Sequence, residues 1–359
     1  MSDPGRSPAT IEKAPDAAQV AELLKNGGAT PGRVSIIIPV YQGDRFILGA
    51  VRSALKQTYS DFEVLVVDDG STDNTAARLA EIVDPRVTVL RQTNQGLSAA
   101  RNLALACVTG EYIAFLDVDD RWFPDKLEVD IRTLKASADP VGVAYGWYYA
   151  VDDTGKLLHR SRRYAFSGSV FDIMLGTDDF ILPSASLFHR SVFEEIGGFD
   201  IGSHHEDRVF FLRAAKKYPI WPTQRYSVIY RQSMEGLGRR KLSDFESARN
   251  ENLSIVEVLQ PILSAEESAV LRAQQVRSLY FRFLMYGFGK SAFLMLPDVE
   301  VASLRHGAKG WIGWLHAKTG INLMYPLRLV IQKANGTFGQ RQWRELLTRS
   351  DVDIAYAGK

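Results

Sequence analysis

Short apolar runs alternate with amphipathic segments through the first half of the chain. Runs such as Phe62–Val67 and Tyr112–Leu116 are rich in β-branched and aromatic residues, which is typical of buried parallel strands. Between these runs, apolar residues recur at helical spacing, as at Phe46, Ala50 and Val51. The alternation predicts right-handed βαβ units around a mostly parallel sheet, which is an α/β fold with helices on both faces.

The pattern also predicts the order of the elements. Strands are predicted at 34–40, 62–67, 87–90, 112–116 and 141–151, with helices at 45–57, 74–82, 97–107 and 124–135. Beyond residue 151 the alternation loosens into a hairpin at 152–156, a helix at 170–175, a strand at 186–189, and helices at 191–196 and 208–217. From about residue 242 the pattern is helical.

The two ends of the chain differ from this middle region. Residues 1–33 contain four prolines among small polar residues, so we expect a flexible leader in which only 17–25 could form a short helix. Residues 272–350 hold twelve arginines and lysines against three acids, although the whole chain has a net charge of only +1. The predicted organisation is therefore a leader at 1–33, an α/β domain at 34–240 and a helical, basic region at 241–359.

The composition indicates the cellular compartment of the protein and excludes some kinds of binding site. Cys107 is the single cysteine, which excludes an internal disulfide framework and a Cys/His zinc cluster. The polar, proline-punctuated N-terminus does not resemble a signal peptide, so we expect a cytoplasmic catalytic portion. Aromatic residues lie among Arg and Lys at 279–286 and 311–315, as in interfacial helices. Two interpretations stay open for these segments: contact with an anionic membrane surface, and an ordinary solvated face.

Two acidic clusters each follow an apolar run. They are Asp68-Asp69-Gly70-Ser71 and Asp117-Val118-Asp119-Asp120, and parallel strands bring such ends to one edge of a sheet. Either cluster alone is more often a turn with a helix cap. Together, carboxylates at one edge repel one another unless a cation is shared, and a divalent ion carrying a diphosphate meets that need. The first hypothesis is a nucleotide-sugar enzyme.

The resemblance to a known family rests on several segments that occur in order. They are Val34–Tyr41, Val67–Asp73, Asn94–Asn102, Leu116–Asp120, and Gly197–Asp200 followed by Glu206-Asp207. With these segments the chain resembles the family 2 inverting glycosyltransferases of the GT-A fold. The resemblance implies transfer of a sugar, with inversion, from a nucleoside-diphosphate sugar to an acceptor hydroxyl, in a hexosyltransferase-type reaction that depends on Mn²⁺ or Mg²⁺.

The resemblance also implies roles for the donor-site residues. Pro39 and Tyr41 match the strand end that contacts the nucleotide base, and Asp69 matches the residue that accepts a hydrogen bond from the base imide. Asp117 matches the position that holds the ribose or the sugar. Asp119 matches the metal ligand, where the cation would stabilise the departing diphosphate. Asp68 has no such match and is expected to orient its turn.

The acceptor side has its own matches and one departure. Asp207 matches the catalytic base, with Glu206 as its neighbouring support, and Arg101 could pair with the diphosphate or with Asp119. Relatives often hold a metal-binding histidine where this chain has Gln232, which puts metal affinity in question. A processive Gln-x-x-Arg-Trp motif is absent, because residues 340–343 read Gln-Arg-Gln-Trp, so a single-addition enzyme is favoured.

The implied partners follow from this resemblance. A UDP- or dTDP-type donor is favoured, with a glycan or a lipid-linked acceptor in the assembly of a surface or exported glycan. The alternatives are a sugar-1-phosphate nucleotidyltransferase and a catalytically inactive module that binds a sugar nucleotide. The first would need a Gly-rich, lysine-bearing loop where the chain has Tyr41-Gln42-Gly43-Asp44. A nucleic-acid role would use the basic tail but leaves the acidic sites unexplained.

Overall fold

A computed structural model describes residues 10–137, 142–177, 181–203, 205–232 and 244–285, together with Ala292 and Met295. The strands are β1 Thr10–Ile11, β2 Thr30–Val40, β3 Phe62–Asp68, β4 Val87–Gln92, β5 Gly110–Phe115, β6 Arg121–Trp122, β7 Val143–Val151, β8 Leu157–Arg160, β9 Ser186–His189 and β10 Ile220–Arg231. The helices are α1 Ala17–Asn26, α2 Ile47–Leu55, α3 Thr75–Ala80, α4 Leu97–Leu105, α5 Lys126–Ala136, α6 Phe171–Gly176, α7 Arg190–Ile196, α8 Glu206–Lys217, α9 Phe245–Leu259 and α10 Ala265–Met285.

All of these strands belong to one curled sheet. Its order is β1-β4-β3-β2-β5-β9-β7-β10-β6, with β8 paired to β7. The neighbours from β1 to β5 are parallel, and so are β7 and β10, whereas β9 runs antiparallel to both β5 and β7. The prediction of a mostly parallel α/β sheet is confirmed, and the carboxyl ends of β2, β3 and β5 meet at one edge.

Apolar side chains cover both faces of the sheet. One face packs on α1, α4, α7 and α8 through residues such as Leu103, Phe193 and Phe210. The other packs on α2 and α5 through residues such as Val51 and Leu127. Central strands are buried on both sides, which is why their sequences read as continuous apolar runs rather than alternating ones.

The expectation of a flexible leader is wrong for residues 10–33. Helix α1 begins with a capping box between Asp16 and Gln19, and it buries Val20 and Leu24. Asn102 of α4 joins this segment to the chain before α8, because its amide donates to the carbonyls of Pro15 at 3.1 Å and Phe199 at 2.9 Å. The prolines suggested disorder, but an amphipathic helix with a capped start has an apolar face to bury.

Strand β10 was not predicted, although it is the longest strand of the sheet. Its twelve residues pair with β7, and the ladder shifts register between Pro222 and Val228. Pro222 and the polar stretch after it conceal the strand, because proline removes a ladder donor and usually marks an edge or a bulge. The apolar run Val228-Ile229-Tyr230 was the available signal.

The predicted C-terminal helices are present as α9 and α10. Ile255, Leu259 and Leu271 join the core that contains α8, so these helices extend the α/β body. Leu279, Tyr280 and Phe283 are buried in an adjoining cluster. The stretch 279–284 therefore does not present its aromatic residues as an interfacial helix would, and residues 311–315 lie outside the described residues. Within the described chain, no helix combines the length and apolar character needed to cross a membrane.

Candidate active site

The edge formed by β2, β3 and β5 carries the predicted donor-site residues. Pro39 is buried opposite Val67 in the β2–β3 ladder, just before the strand ends. Tyr41 follows the strand and is 52% exposed, so its ring is available to a ligand. Gly43 packs under this turn, where a Cβ would lie 2.4 Å from Val40. The loop is thus a tight turn, unlike an open phosphate-binding loop.

Asp69 is held by the loop that follows β4. Its Oδ1 accepts hydrogen bonds from Gln92 Nε2 at 2.6 Å and from the backbone N–H of Gln95 at 2.9 Å. Its Oδ2 accepts from the backbone N–H of Gly96 at 2.9 Å. Asp69 is 3% exposed, and both of its carboxylate oxygens accept hydrogen bonds from the protein itself. The carboxylate therefore shapes the Gln95-Gly96 loop as well as the strand end.

Asp68 has the orienting role expected for it. Its Oδ1 accepts from the backbone N–H of Ser71 at 2.9 Å, which closes the turn after β3. Gln42, which sequence reasoning missed, joins this turn to the β2 loop, because its Oε1 accepts from the N–H groups of Thr72 and Asp73 at 3.0 Å. Gln42 has a φ of 52°, a left-handed conformation that costs a non-glycine residue about 1 kcal/mol. Rigid side-chain contacts at the donor edge stabilise this strained residue.

The second acidic cluster forms a turn after β5. The backbone N–H of Asp117 donates to Ser184 Oγ at 3.0 Å, and that of Asp120 donates to the carbonyl of Asp117 at 3.0 Å. Burial, and next the charge of Asp117, raise the pKa of Asp119 to about 6. Ser184 was missed, and the small residues of Pro183-Ser184-Ala185 before a strand were its only signal. The turn concentrates negative charge in a place that water reaches poorly.

Asp120 lies in the interior of the protein, away from the helix that follows the turn. It is fully buried, and its Oδ1 accepts from the backbone N–H of Arg231 at 3.0 Å. Its Oδ2 has no hydrogen-bond partner among the described residues. Burial, followed by the charges of Asp119 and Asp117, raises the pKa of Asp120. The unpredicted strand β10 thus completes the acidic turn.

Arg101 connects the two halves of the site. Its side chain is 1% exposed and lies over the rings of Phe199 and Phe115, at 5.0 and 5.8 Å from their centroids. Its Nη2 is 2.9 Å from Asp117 Oδ1, and its Nη1 is 3.4 Å from Glu206 Oε1. Of the two partners considered for Arg101, the diphosphate and Asp119, the second is replaced in this structure by Asp117. The guanidinium extends from α4 to the first carboxylate of the cluster.

Glu206 and Asp207 form the first turn of α8, where the helix dipole favours negative charge. The backbone N–H of Arg208 donates to Asp207 Oδ1 at 2.7 Å. Burial lowers the pKa of Arg101, but Asp117, Glu206 and Asp207 together outweigh that effect and raise it. The structure thus brings Arg101, Asp117, Glu206 and Asp207 to one place.

Comparison with known proteins shows what this chain is similar to. The profile described as Glycosyl transferase family 2 matches residues 35–197. Over these residues the chain resembles glycosyltransferase family 2. An uncharacterized glycosyltransferase of Rickettsia conorii is 33% identical over 184 residues, which are 50% of this chain and 30% of that protein.

A second relative has a described activity. The UDP-Glc:alpha-D-GlcNAc-diphosphoundecaprenol beta-1,3-glucosyltransferase WfgD of Escherichia coli is 40% identical over 121 residues, which are 33% of this chain and 47% of that protein. The chain thus spans less than half the length of these two curated relatives.

Solved structures share the fold of this chain. S. aureus TarS 1-349 in complex with UDP has a TM-score of 0.55 and 18% identity, covering 87% of this chain and 91% of that one. The mannosyltransferase PcManGT from Pyrobaculum calidifontis, in complex with GDP-Man and Mn²⁺, has a TM-score of 0.50 and 18% identity, covering 90% and 94%. At these identities the likeness establishes the GT-A fold alone.

The acidic turn after β5 suits a hard divalent cation. Asp119 offers carboxylate oxygens, which Mg²⁺ and Mn²⁺ prefer, and burial followed by the charge of Asp117 raises its pKa, an effect that a bound cation would oppose. Among the described residues, no three His, Cys, Asp or Glu side chains group closely enough to form a complete metal site. The donor set fits a cation that takes its remaining ligands from a diphosphate and from water.

Gln232 lies beside a histidine from another strand. His159, which follows β7 on the neighbouring β8, places Nε2 3.1 Å from Gln232 Oε1. The backbone N–H of Gln232 donates to the carbonyl of Val151 at 2.8 Å, so the residue continues the β7–β10 ladder. The amide of Gln232 is thus occupied by a side-chain contact that the sequence did not suggest.

Proposed function

We propose that this protein is an inverting, metal-dependent glycosyltransferase. It would transfer a single sugar from a UDP- or dTDP-type donor to a hydroxyl of a glycan or a lipid-linked acceptor. The observation that carries the proposal is the buried contact of Arg101 with both Asp117 and Glu206. That contact joins the carboxylates at the donor edge to the helix that begins with Asp207.

The donor would lie along the ends of β2, β3 and β5. Tyr41 offers an exposed ring on which a base can stack, with Pro39 beneath the turn and Asp69 beside it. Asp117 would face the ribose or the sugar. Asp119 would hold Mg²⁺ or Mn²⁺, which when bound supplies positive charge to the departing diphosphate. A Mn²⁺-bound relative of the same fold is consistent with this assignment.

Asp207 would act as the base on the acceptor side. Its carboxylate would take the proton from the acceptor hydroxyl while that oxygen attacks the anomeric carbon from the face opposite the diphosphate. The C–O bond to the diphosphate breaks as the new bond forms, which inverts the configuration. Glu206 and Arg101 would keep Asp207 in line with the donor by anchoring the start of α8.

The setting of the reaction is part of the same proposal. The relative whose name specifies a diphosphoundecaprenol-linked acceptor supports a lipid-linked substrate and a role in surface or exported glycan assembly. We propose a cytoplasmic location, with contact to an anionic membrane face where such acceptors reside. Non-processive transfer follows from the missing polymer-gripping motif.

Donor turnover and donor binding test these roles separately. With UDP-glucose or UDP-GlcNAc and Mn²⁺, Asp207→Asn should lower donor hydrolysis at least about a hundredfold, because proton transfer loses its base. UDP binding should remain. Asp172→Asn, an exposed acid in the first turn of α6, is the matched control and should retain full turnover. An unchanged rate in Asp207→Asn would refute the base assignment.

The metal assignment has a readout that does not need turnover. Mn²⁺ should increase the thermal stabilisation given by UDP in the wild type, because cation and diphosphate bind together. Asp119→Ala should lose that Mn²⁺-dependent part. If Asp119→Ala keeps it, the cation is held elsewhere.

A further inference from the structure

The segment that ends β8 and follows it carries three exposed arginines, Arg160, Arg162 and Arg163. None of the three forms an ion pair with a carboxylate in the described part of the chain. In contrast, the surface residues Arg78 and Arg86 each lie within 3.0 Å of an acidic oxygen. The segment therefore presents positive charge that the described protein does not neutralise.

An aromatic cluster lies directly beneath these arginines. Tyr149 of β7 and Tyr226 of β10 stack with their centroids 4.4 Å apart, and Trp147 meets Tyr226 edge-on at 5.3 Å. The guanidinium of Arg163 lies over Trp147 at 5.7 Å and over Tyr226 at 5.6 Å. All three rings are half-buried. A guanidinium held by cation–π contacts of this kind has five N–H donors, of which those not used by the protein can bind an anion.

Arg160 belongs to the same surface. It pairs with Tyr149 across the β7–β8 ladder, so both side chains lie on one face of the sheet. Burial raises the pKa of Tyr149, while Arg160 and Arg163 are both close enough to oppose that rise. The stacked tyrosines therefore have a guanidinium from Arg160 and another from Arg163 beside them. Together Arg160, Arg162, Arg163, Trp147, Tyr149 and Tyr226 form the arginine–aromatic surface.

This surface runs from the edge that holds the acidic turn. Tyr149 lies two residues before Val151, a rise of about 7 Å along the strand. The next residue, Asp152, accepts a hydrogen bond on its carbonyl from Arg231 Nη1 at 2.6 Å. The backbone N–H of Arg231 in turn donates to Asp120. A molecule that extends from the site along β7 would reach the arginines.

We propose that the arginine–aromatic surface binds the diphosphate of a lipid-linked acceptor. The inference rests on the proposed function, because it assigns a place to that acceptor. The paired N–H groups of a guanidinium match the spacing of phosphate oxygens. Two neighbouring arginines therefore suit a diphosphate better than a single phosphate. The half-buried rings give the adjoining sugar or isoprenoid an apolar face.

The rings are unsuited to anchoring in a bilayer. Trp147 Nε1 donates to the carbonyl of Tyr164 at 2.9 Å, and the Tyr226 hydroxyl donates to the carbonyl of Ser161 at 3.3 Å. Both polar tips point into the protein, whereas an interfacial anchor keeps its polar tip at the headgroups. The diphosphate of an individual acceptor molecule is therefore favoured over general contact with lipid headgroups.

Farnesyl diphosphate is a practical probe of the surface, and farnesol is its uncharged counterpart. Binding to the full chain is measured in EDTA, so that no cation can hold the diphosphate at Asp119. Wild-type protein should bind farnesyl diphosphate and not farnesol. The double variant Arg160→Gln/Arg163→Gln should bind it roughly tenfold more weakly, because charged hydrogen bonds to phosphate are lost. Arg52→Gln, an exposed arginine of α2, is the matched control and should bind as the wild type does.

Three results would overturn the proposal. The first is an unchanged affinity of the double variant for farnesyl diphosphate. The second is that the wild type binds farnesol as well as it binds farnesyl diphosphate. The third is that the double variant no longer binds phosphatidylglycerol vesicles although it still binds farnesyl diphosphate. The last result would identify a headgroup site. UDP binding with Mn²⁺ is followed in the same variants and should not change. Failure of the wild type to bind UDP would count against the proposed function, whereas failure to bind farnesyl diphosphate alone counts only against this acceptor site.

Discussion

Arg101 and Glu206 lie 105 positions apart in the sequence, yet Nη1 of the first is 3.4 Å from Oε1 of the second. The pair joins α4, which follows the donor edge, to the first turn of α8. Because Arg101 is almost entirely buried, the contact is little screened by water or salt. It therefore couples the position of the acceptor-side helix to that of Asp117.

Replacing Arg101 with glutamine should reduce both stability and turnover. The change leaves Asp117 and Glu206 without their buried cation, at a cost of about 3 kcal/mol in the free energy of unfolding. Urea unfolding measures this loss, and kcat for donor hydrolysis should fall more than KM for the donor changes. Arg213→Gln, which breaks the half-exposed pair with Asp200, is the control and should cost about 1 kcal/mol or less. Equal losses in the two variants would contradict the coupling.

Tyr41 should matter for binding and hardly at all for folding. Its ring is 52% exposed, so Tyr41→Ala should leave the free energy of unfolding within about 0.5 kcal/mol of the wild type. A base stacked on the ring would be lost, which should weaken UDP binding by about tenfold. Calorimetric titration with UDP and Mn²⁺ measures the change. Tyr41→Phe keeps the ring and should restore the affinity, and weak binding by both variants would argue against stacking.

Asp69→Asn should disturb the loop that ends in Gly96. The carboxylate accepts hydrogen bonds from three N–H groups. The NH₂ group of an asparagine would face one of these donors, which should lower the free energy of unfolding by about 2 kcal/mol. UDP binding should weaken with it, because the loop borders the donor edge. Asp68→Asn is the paired comparison, since its amide oxygen can still accept from Ser71. A larger stability loss in Asp68→Asn would reverse this ranking.

The buried pair of Lys126 and Asp130 should make stability depend on pH. Their charged atoms are 2.8 Å apart with no solvent exposure, and burial raises the pKa of Asp130 to about 6 while Lys126 opposes the rise. A folded pKa above that of an unfolded aspartate means that ionisation costs stability as the pH rises. Lys126→Met removes the opposing charge and raises this pKa further. The variant should therefore lose more stability at pH 8, about 3 kcal/mol, than at pH 5.

Urea unfolding at the two pH values checks the Lys126 prediction. Lys217→Met breaks an exposed pair with Glu195 and serves as the control, with at most about 1 kcal/mol lost at either pH. A loss in Lys126→Met that is the same at pH 5 and pH 8 would show that packing, rather than the charge of Asp130, determines the effect.

The sequence predicted those parts of the fold that depend on local pattern. Strands β3 and β5 were recognisable because both of their faces are buried, and Asp68 closes the turn that contains Gly70, as such a sequence predicts. Strand β10 was hidden because Pro222 and the register shift interrupt its pattern. The segment that contains α1 was predicted to be flexible because of its four prolines, although the helix has an apolar face that can be buried.

The sequence predicted which types of residue lie at the site, but it did not predict which side chains contact one another. Carboxylates at strand ends follow from the order of elements, whereas the partner of Arg101 depends on where α8 begins in space. The burial of Asp120 was not predicted, because nothing in the local sequence indicates that β10 covers it. The contact of His159 with Gln232 is equally non-local, since it needs β8 and the end of β10 side by side.

The Asn102 amide has a practical consequence for anyone who isolates the conserved part of this protein. Its partners are the carbonyls of Pro15 and Phe199, and both lie outside the family match at 35–197. A polypeptide trimmed to that match would also lack α1, α8 and β10. We therefore expect that a well-folded fragment should begin before Ala14 and continue through α8 and β10.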